Sequence, residues 1–351
     1  MQLDECDYVL PAELIAQHPL KVRDHARLLI LDRVQSTLTH AHVRDLTALL
    51  TPQDVLIINN TKVFPARLLG RRNSGGSVEI LLVRPERSRC WHALVKPSKR
   101  LAVGTEVKFD GTDWIAVIGA PDASGTRQVE FRGGGSFRSW LACYGRVPLP
   151  PYIKRPNDRD TATFGAALRD RRRYQTVYAK HWGSVAAPTA GLHLTRPLLC
   201  RLQEKGVQVH AITLHVGPGT FRPLRSSSVE AHTMDAERYW VPPAVAASLE
   251  AARAAGKRLI AVGTTTTRGL ESAGDADGRI RHLEGNTSLY IYPGYGFKMV
   301  DGLLTNFHLP RSTPLLLSMA LAGRERIFAA YREAIAARYR FCSYGDAMLI
   351  L

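Results

Sequence analysis

The stretch "PPAVAASLEAARAAGKRLIAVGTTTTRGLESAG" (242–274) holds a complete structural alternation in one line. Alanine, leucine and glutamate fill a segment that opens on two prolines and closes on Gly256, the punctuation of a helix. "RLIAV" is then an apolar run of strand length, followed by a glycine, four threonines and a second helical segment. Helix, strand, threonine-rich loop and helix in succession are the pattern of an α/β layer. The same texture recurs on both sides. "TRPLLCRLQEKG" (195–206) reads as a helix capped by Thr195 with Pro197 in its first turn, leading into the strand "VQVHAITL" (207–214). "STPLLLSMALAGRERIFAAYREAIAARY" (312–339) shows helical periodicity on either side of Gly323, and "FCSYGDAMLIL" (341–351) reads as a turn and a final strand.

Between about 62 and 149 the texture changes. "SVEILLV", "CWHALV", "TEVKFD", "WIAVIG" and "RQVEF" are strand-length, and "NSGG", "KPSK", "FDGTD", "PDASG" and "RGGG" divide them. Short strands with glycine-rich turns suggest a compact antiparallel barrel or sandwich. The simplest division is a discontinuous α/β domain of residues 1–61 and 150–351, interrupted by a β-rich domain at 62–149. Both crossings are turn-like, "NNTKVFP" on entry and "GRVPLPPYIKRP" on return.

The chain has 351 residues, is 45% hydrophobic and carries a formal charge of +16, with a pI near 9.9. That length and apolar content suffice for a large core, so a disordered or fibrous protein is disfavoured. The charge points to an anionic partner, nucleic acid foremost. Arginine-rich ordinary surface would read the same way in "RDRRR" (169–173) and "LLGRRN" (68–73). Five scattered cysteines with no C-x-x-C pair disfavour a disulfide framework or a zinc site and suit a reducing cytoplasm. The acidic N-terminus broken by Pro11 lacks signal-peptide character, and no apolar run is long enough to cross a bilayer.

Several segments gather polar groups at predicted strand ends, where α/β proteins hold ligands. "LHVGPGTFRPL" (214–224) offers Gly217, Pro218 and Gly219 with His215, Thr220 and Arg222; an ordinary Gly-Pro-Gly turn is the alternative. "AVGTTTTRGLES" (261–272) places Gly263 and four threonines where helix amides suit a carboxylate or phosphate, although a threonine N-cap explains it equally well. "IYPGYGFKMVDGLLTNFHLPRSTP" (291–314) interleaves aromatics with glycines, then sets Asn306, His308, Arg311, Ser312 and Thr313 in a loop. "SVAAPTAGLHLT" (184–195) packs Pro188, Thr189, Gly191 and His193 into six positions. No H-E-x-x-H and no G-x-S-x-G occur, so metalloenzyme and serine-hydrolase readings weaken.

The strings "RYQTVYA", "GSVAAPTAGLH", "LHVGPGTFRP", "IYPGYGFKMVDGLLTNFHLPRST" and "YGDAMLI", with "LPAELIAQHPL", "RDHARLLILDR", "NNTKVFPARL", "VEILLV" and "PLPPYI" before them, resemble the S-adenosylmethionine:tRNA ribosyltransferase-isomerases of queuosine biosynthesis over nearly the whole chain. The resemblance implies an α/β domain with an inserted small antiparallel β-barrel. It implies transfer of the ribosyl moiety of S-adenosylmethionine to 7-aminomethyl-7-deazaguanine at the wobble position of tRNA, giving epoxyqueuosine with loss of adenine and methionine. It further implies S-adenosylmethionine as co-substrate, no permanently bound cofactor or metal, tRNA as macromolecular partner, no membrane, no obligate protein partner, and a cytoplasmic monomer. Three departures stand out. "AHTMDAERYWV" (231–241) has Asp235 and Ala236 where the family shows a His-Ser pair, while His232, Met234 and Glu237 match. "GTTTTRGLES" keeps Gly263, Thr264, Thr265, Arg268 and Glu271 but carries threonines in place of two valines. "NDRDTATFGAALRDRRRYQ" (157–175) is longer than the family pattern and reads as a surface elaboration facing tRNA.

On this reading the acid and base candidates are His193, His215, His232 and His308, with Glu237 and Asp346 as carboxylate partners. Pro188, Thr189, Gly191, Gly217, Gly219, Thr220, Gly263, Thr264, Thr265 and Asn306 are expected around the cofactor. Arg268 or Arg222 would pair with its carboxylate, and Tyr292 and Phe307 would stack on a base. Two rivals are a non-catalytic RNA-binding protein and an S-adenosylmethionine-dependent RNA methyltransferase; the latter lacks its usual glycine-rich first turn here.

Overall fold

In a computed structural model, which describes residues 1–122, 125–155, 164–221, 224 and 228–351, the chain divides into two units. Met1–Lys62, Pro150–Arg155 and Arg173–Leu351 form the first; Val63–Leu149 and Pro156–Arg172 form the second.

The first unit is built on a nine-stranded sheet. Its strands are β1 (Arg27–Asp32), β2 (Thr37–His42), β3 (Asp54–Asn59), β12 (Gln208–Leu214), β13 (Glu237–Trp240), β14 (Arg258–Val262), β15 (Glu284–Thr287), β16 (Gly302–Asn306) and β17 (Ala347–Ile350). They lie in the order β15-β13-β12-β3-β14-β16-β17-β1-β2. β12, β3, β14 and β16 are mutually parallel. β3 is buried at every position, as a central strand covered on both faces must be. Its residues alternate between two cores. Val55 and Ile57 enter one with Leu259 and Ala261 of β14; Leu56 and Ile58 enter the other with Ile260 and Val262. This period of two follows from the pleat.

Helices close both faces. α1 (Leu46–Leu49) and α4 (Arg196–Glu204) supply Leu46, Leu198 and Leu202 to one core. α5 (Pro243–Ala254), α6 (Thr264–Ala273), α7 (Thr313–Ala322) and α8 (Arg324–Ala336) supply Leu249, Leu270, Leu316 and Ala330 to the other. Thr195 caps α4, accepting from Leu198 N at 3.2 Å, as the sequence predicts.

In the second unit β5 (Arg67–Arg72), β6 (Ser77–Arg87), β7 (Cys90–Lys96), β8 (Glu106–Lys108), β9 (Ile115–Pro121) and β10 (Arg127–Arg132) close into a barrel in the order β10-β7-β6-β5-β8-β9. All its pairings are antiparallel. Aromatic rings fill it, among them Trp114 stacked on Trp140 at 5.1 Å and Phe131 against Phe137 at 4.7 Å; Phe137 and Trp140 come from α2 (Phe137–Tyr144). β4 (Thr61–Val63) and β11 (His181–Ser184) make a two-stranded sheet, and α3 spans Phe164–Arg173.

The α/β sheet and the antiparallel barrel agree with the fold class read from the sequence. Two local readings do not survive. β5, "RLLGRR", is hidden in a basic run because only its Leu68 and Gly70, lying between Arg67 and Arg71, are buried. The threonine-rich loop is no loop: Thr264–Thr267 form the first turn of α6. Gly263, with φ of +93° and ψ of 153°, turns the chain in one residue, in a region that glycine alone adopts readily. The hydroxyls of Thr266 and Thr267 donate back to the carbonyls of Val262 (2.6 Å) and Gly263 (3.2 Å), so neither serves as a cap.

Candidate active site

A cleft of about 410 Å³ opens at the carboxyl ends of the parallel strands, within the first unit. Val216 beyond β12, Gly263–Thr265 beyond β14 and Thr305–Leu309 at the end of β16 line it, with Pro151, Tyr152 and Ser343. This is where open α/β sheets bind ligands, and the size falls within the roughly 300–1,000 Å³ of small-molecule sites.

Two helices point their N-termini at this space. α6 starts behind Gly263, which has no side chain to cap it, and no side-chain cap is present. The amides of Thr264, Thr265 and Thr266 therefore lack intrahelical partners. α7 begins behind Ser312, whose hydroxyl donates to the Leu309 carbonyl at 2.6 Å and so does not cap. Gly263, Thr264, Thr265, Ser312 and Pro314 all border the cleft. Two uncapped helix ends bring unpaired N–H groups and partial positive charge to one place, a combination that suits an anion. Arg311 also borders the cleft, but its guanidinium is paired with Asp7 (2.8 Å) and Asp4 (2.9 Å). Pro188, Val216, Leu309 and Pro310 make the remaining wall apolar.

Of the four expected histidines, His308 alone lines the cleft. Burial pushes its pKa down to about 3, so the ring is neutral at physiological pH. Its Nε2 lies 2.8 Å from Thr305 Oγ1. The backbone is fixed from both sides: its N–H donates to Tyr331 Oη at 2.9 Å, and its carbonyl accepts from Tyr8 Oη. His193 sits behind the wall and is 4% exposed. Its Nε2 accepts from Asn306 Nδ2 at 3.0 Å, which leaves the ring proton on Nδ1, and burial lowers its pKa to about 4. His215 lies outside the cleft, its Nδ1 2.8 Å from Thr61 Oγ1 and its ring against Gly183, where a Cβ would come within 2.8 Å. His232 packs edge-on against Tyr290 at 5.1 Å. Burial lowers the pKa of both.

The carboxylates have structural partners. Asp346 is buried and accepts from the amides of Arg27 (3.1 Å) and Arg340 (2.8 Å). Glu237 accepts from Gly217 N at 2.7 Å and is paired with the Arg268 guanidinium. Burial raises the Glu237 pKa against the opposing pull of Arg268. Arg268 also donates to the carbonyl of Leu289 at 2.8 Å. It does not line the cleft, but it borders a small pocket with Thr264, Thr265 and Pro314 at the starts of α6 and α7.

Among the residues expected around the cofactor, Pro188, Thr189, Gly263, Thr264, Thr265, Asn306 and Phe307 border the cleft. The two stacking assignments need correction. Phe307 is fully buried, with Tyr331, Tyr339 and Phe341 within 5.6 Å of its ring centroid, so it offers no free face. Tyr292 lies outside, packed on Tyr290 at 5.0 Å. Gly191 is a packing glycine, since a Cβ there would meet Tyr178 Oη at 2.0 Å. Gly217 supports Glu237, and Gly219 lies against Asp235. Arg222 and the side chain of Thr220 lie outside the described residues. Among the described residues no group of three His, Cys, Asp or Glu could hold a metal, and no helix is long and apolar enough to cross a membrane.

Residues 3–350 match the queuosine biosynthesis protein family. Relatives named S-adenosylmethionine:tRNA ribosyltransferase-isomerase from Symbiobacterium thermophilum and Pelotomaculum thermopropionicum are 50% and 49% identical, each over 100% of both chains. The chain belongs to the S-adenosylmethionine:tRNA ribosyltransferase-isomerase family. A crystal structure of S-adenosylmethionine tRNA ribosyltransferase from Thermotoga maritima is similar at 36% identity and a TM-score of 0.55, covering 99% of this chain and 100% of that one.

In this ribosyltransferase-isomerase family member several cleft residues escaped the sequence reading. Tyr152 and Ser343 line the opening, joined Oη to Oγ at 2.7 Å, and Cys342 and Thr305 lie beside them. Tyr152 and Ser343, in "PLPPYI" and "FCSYGD", stand 191 positions apart, so only the fold brings them together. The buried His193 also sets an acid limit on stability. Its folded pKa, about 4, lies below the roughly 6.5 of an unfolded histidine. The unfolded chain thus binds more protons between those values, and stability falls as pH drops through the window by about 1.4 kcal/mol per unit. Urea midpoints measured from pH 7 to 4 should decline less steeply in His193→Gln than in the parent; equal slopes would refute the assignment.

Proposed function

We propose that the chain transfers and isomerises the ribosyl moiety of S-adenosylmethionine onto 7-aminomethyl-7-deazaguanine at the wobble position of tRNA, giving epoxyqueuosine and releasing adenine and methionine. The observation that carries this reading is the full-length similarity to relatives named for that class of reaction, joined to a cleft that suits the co-substrate. The methionine carboxylate would take the free amides at the starts of α6 and α7, and the apolar wall would enclose the sugar and adenine.

The chemistry needs a proton removed beside the sulfonium, adenine expelled, the tRNA amine added, and the epoxide closed as methionine departs. His308, neutral and in the cleft, is the group suited to take or return a proton there. His193 acts at one remove, holding the Asn306 amide. His215, His232, Glu237 and Asp346 hold neighbouring backbone and side chains. Water exclusion by the apolar wall would protect the intermediates. S-adenosylmethionine is a co-substrate, with no permanently bound cofactor, and the protein works in the cytoplasm as a monomer.

The test is incubation with S-adenosylmethionine and tRNA bearing the aminomethyl base, followed by chromatography. Adenine and methionine should appear in equal amounts with a modified tRNA. S-adenosylhomocysteine instead would identify a methyltransferase, and tRNA binding without any released product a non-catalytic RNA-binding protein.

A further inference from the structure

The segment "QHPLK" (17–21) crosses the first unit as a strap held in an unusual way. Arginines grip its backbone carbonyls. Arg155 Nη1 donates to Gln17 O at 3.0 Å, Arg340 to His18 O, and Arg173 to Leu20 O and, at 3.3 Å, to Lys21 O. The Gln17 amide completes the fastening, donating to Tyr152 O at 2.9 Å and accepting from Lys154 N at 2.8 Å.

A carbonyl fixes a guanidinium without cancelling its charge. Among the described residues Arg173 and Arg340 have no carboxylate within ion-pair distance, and Arg340 Nη1, itself buried, has no hydrogen-bond partner. Of the nearby buried acids, Asp346 pairs with the Arg27 guanidinium at 3.3 Å and accepts from the amides of Arg27 and Arg340, and Asp24 accepts from Thr195 Oγ1 at 2.9 Å. Lys21 and Lys154 are exposed on the strap and its neighbour. The crowding of like charge is felt at Arg23, whose pKa is lowered to about 10 by burial and then by Arg173.

This basic face adjoins the cleft. Tyr152, tied to the strap through Gln17, lines the cleft, and Ser343 lines both the cleft and the small pocket bounded by Pro19, Leu20 and Arg173. We infer that the strap, with Lys21, Lys154, Arg173 and Arg340, is a phosphate-binding face that guides the tRNA strand carrying the reactive base into the cleft. Guanidiniums held by carbonyls rather than by carboxylates, beside exposed lysines, suit a chain of phosphates better than a single anion, because each contact adds a released counterion. The inference rests on the proposed tRNA substrate.

Two double variants of the full chain test it. Lys21→Glu/Lys154→Glu alters side chains to which no fold-holding bond is assigned; Arg279→Glu/Arg332→Glu reverses two exposed charges elsewhere. Affinity for substrate tRNA is measured by filter binding across salt concentrations, and S-adenosylmethionine affinity by calorimetry. The strap variant should bind tRNA at least about tenfold more weakly, and its log–log salt slope should fall by about 1.4 to 1.8, the loss of two phosphate contacts. Its S-adenosylmethionine affinity should be unchanged. The distant variant should stay within about twofold of the parent, since its charges touch no phosphate. Equal weakening of both variants, or an unchanged slope in the strap variant, would overturn this face. A parent protein that fails to bind the tRNA would overturn the substrate reading instead.

Discussion

His308→Gln is expected to lower adenine release by about 10² to 10⁴-fold, the usual contribution of a positioned acid or base, while S-adenosylmethionine affinity changes little. The substitution removes the imidazole but not the loop. The residue's amide and carbonyl are held by Tyr331 and Tyr8, and glutamine can still reach Thr305 Oγ1. Burial that holds the ring neutral also makes it a weak base. Turnover should therefore stay flat from pH 8 down to about pH 5 so far as His308 governs it, with no limb near the ordinary histidine pKa. Single-turnover adenine release and calorimetry on the same preparation separate the outcomes. Turnover within threefold of the parent would remove His308 from the chemistry; lost turnover with equally lost affinity would make it a binding residue.

How legible the fold was depended on period. The α/β alternation in 242–274 and the helices around Gly323 stood out because apolar spacing there follows a single regular element. β5 did not, because half of its six residues are arginines, and only Leu68 and Gly70 between them are buried. The threonine run misled for a related reason. β-branched residues suggest loop or strand, yet four of them fit the first turn of α6 once their hydroxyls bond backward and Gly263 turns the chain.

The lining of the cleft was legible in its glycine and threonine half and obscure elsewhere. Gly263–Thr265 could be read from one string because strand, turn and helix start are contiguous. Which motif histidine reaches the cleft could not, since His193 and His308 both follow apolar, turn-rich strings. The difference lies in Asn306, whose amide nitrogen is directed to His193 Nε2 and to the carbonyl of Cys342 at 3.1 Å. His193 thus becomes support for the wall, and His308, two residues beyond Asn306, forms part of it. Phe307 illustrates the limit of composition: an aromatic in a polar loop suggested stacking, but the next side chain after an inward-facing strand end is taken up by the core.

Glu237→Ala is expected to cost about 3 to 5 kcal/mol of folding stability, the price of leaving a buried charge without its partner. Arg268 is 6% exposed and Glu237 4%; once the carboxylate is gone, water cannot replace it. The carbonyls of Leu289 and Thr287 would remain as acceptors, but neither carries a charge. Replacing both partners, Glu237→Leu with Arg268→Met, should recover part of the loss because no orphaned charge remains, so the double variant should be more stable than the sum of the single effects predicts. Chemical denaturation of Glu237→Leu, Arg268→Met and the double variant measures this coupling directly. The same set settles what Arg268 is for. If it serves the fold, Arg268→Met lowers stability and leaves S-adenosylmethionine affinity nearly intact in protein that remains folded. If it serves the cofactor carboxylate, affinity collapses while the denaturation midpoint hardly moves, and the anion site at the starts of α6 and α7 would then have to be shared with a guanidinium that must first leave Glu237.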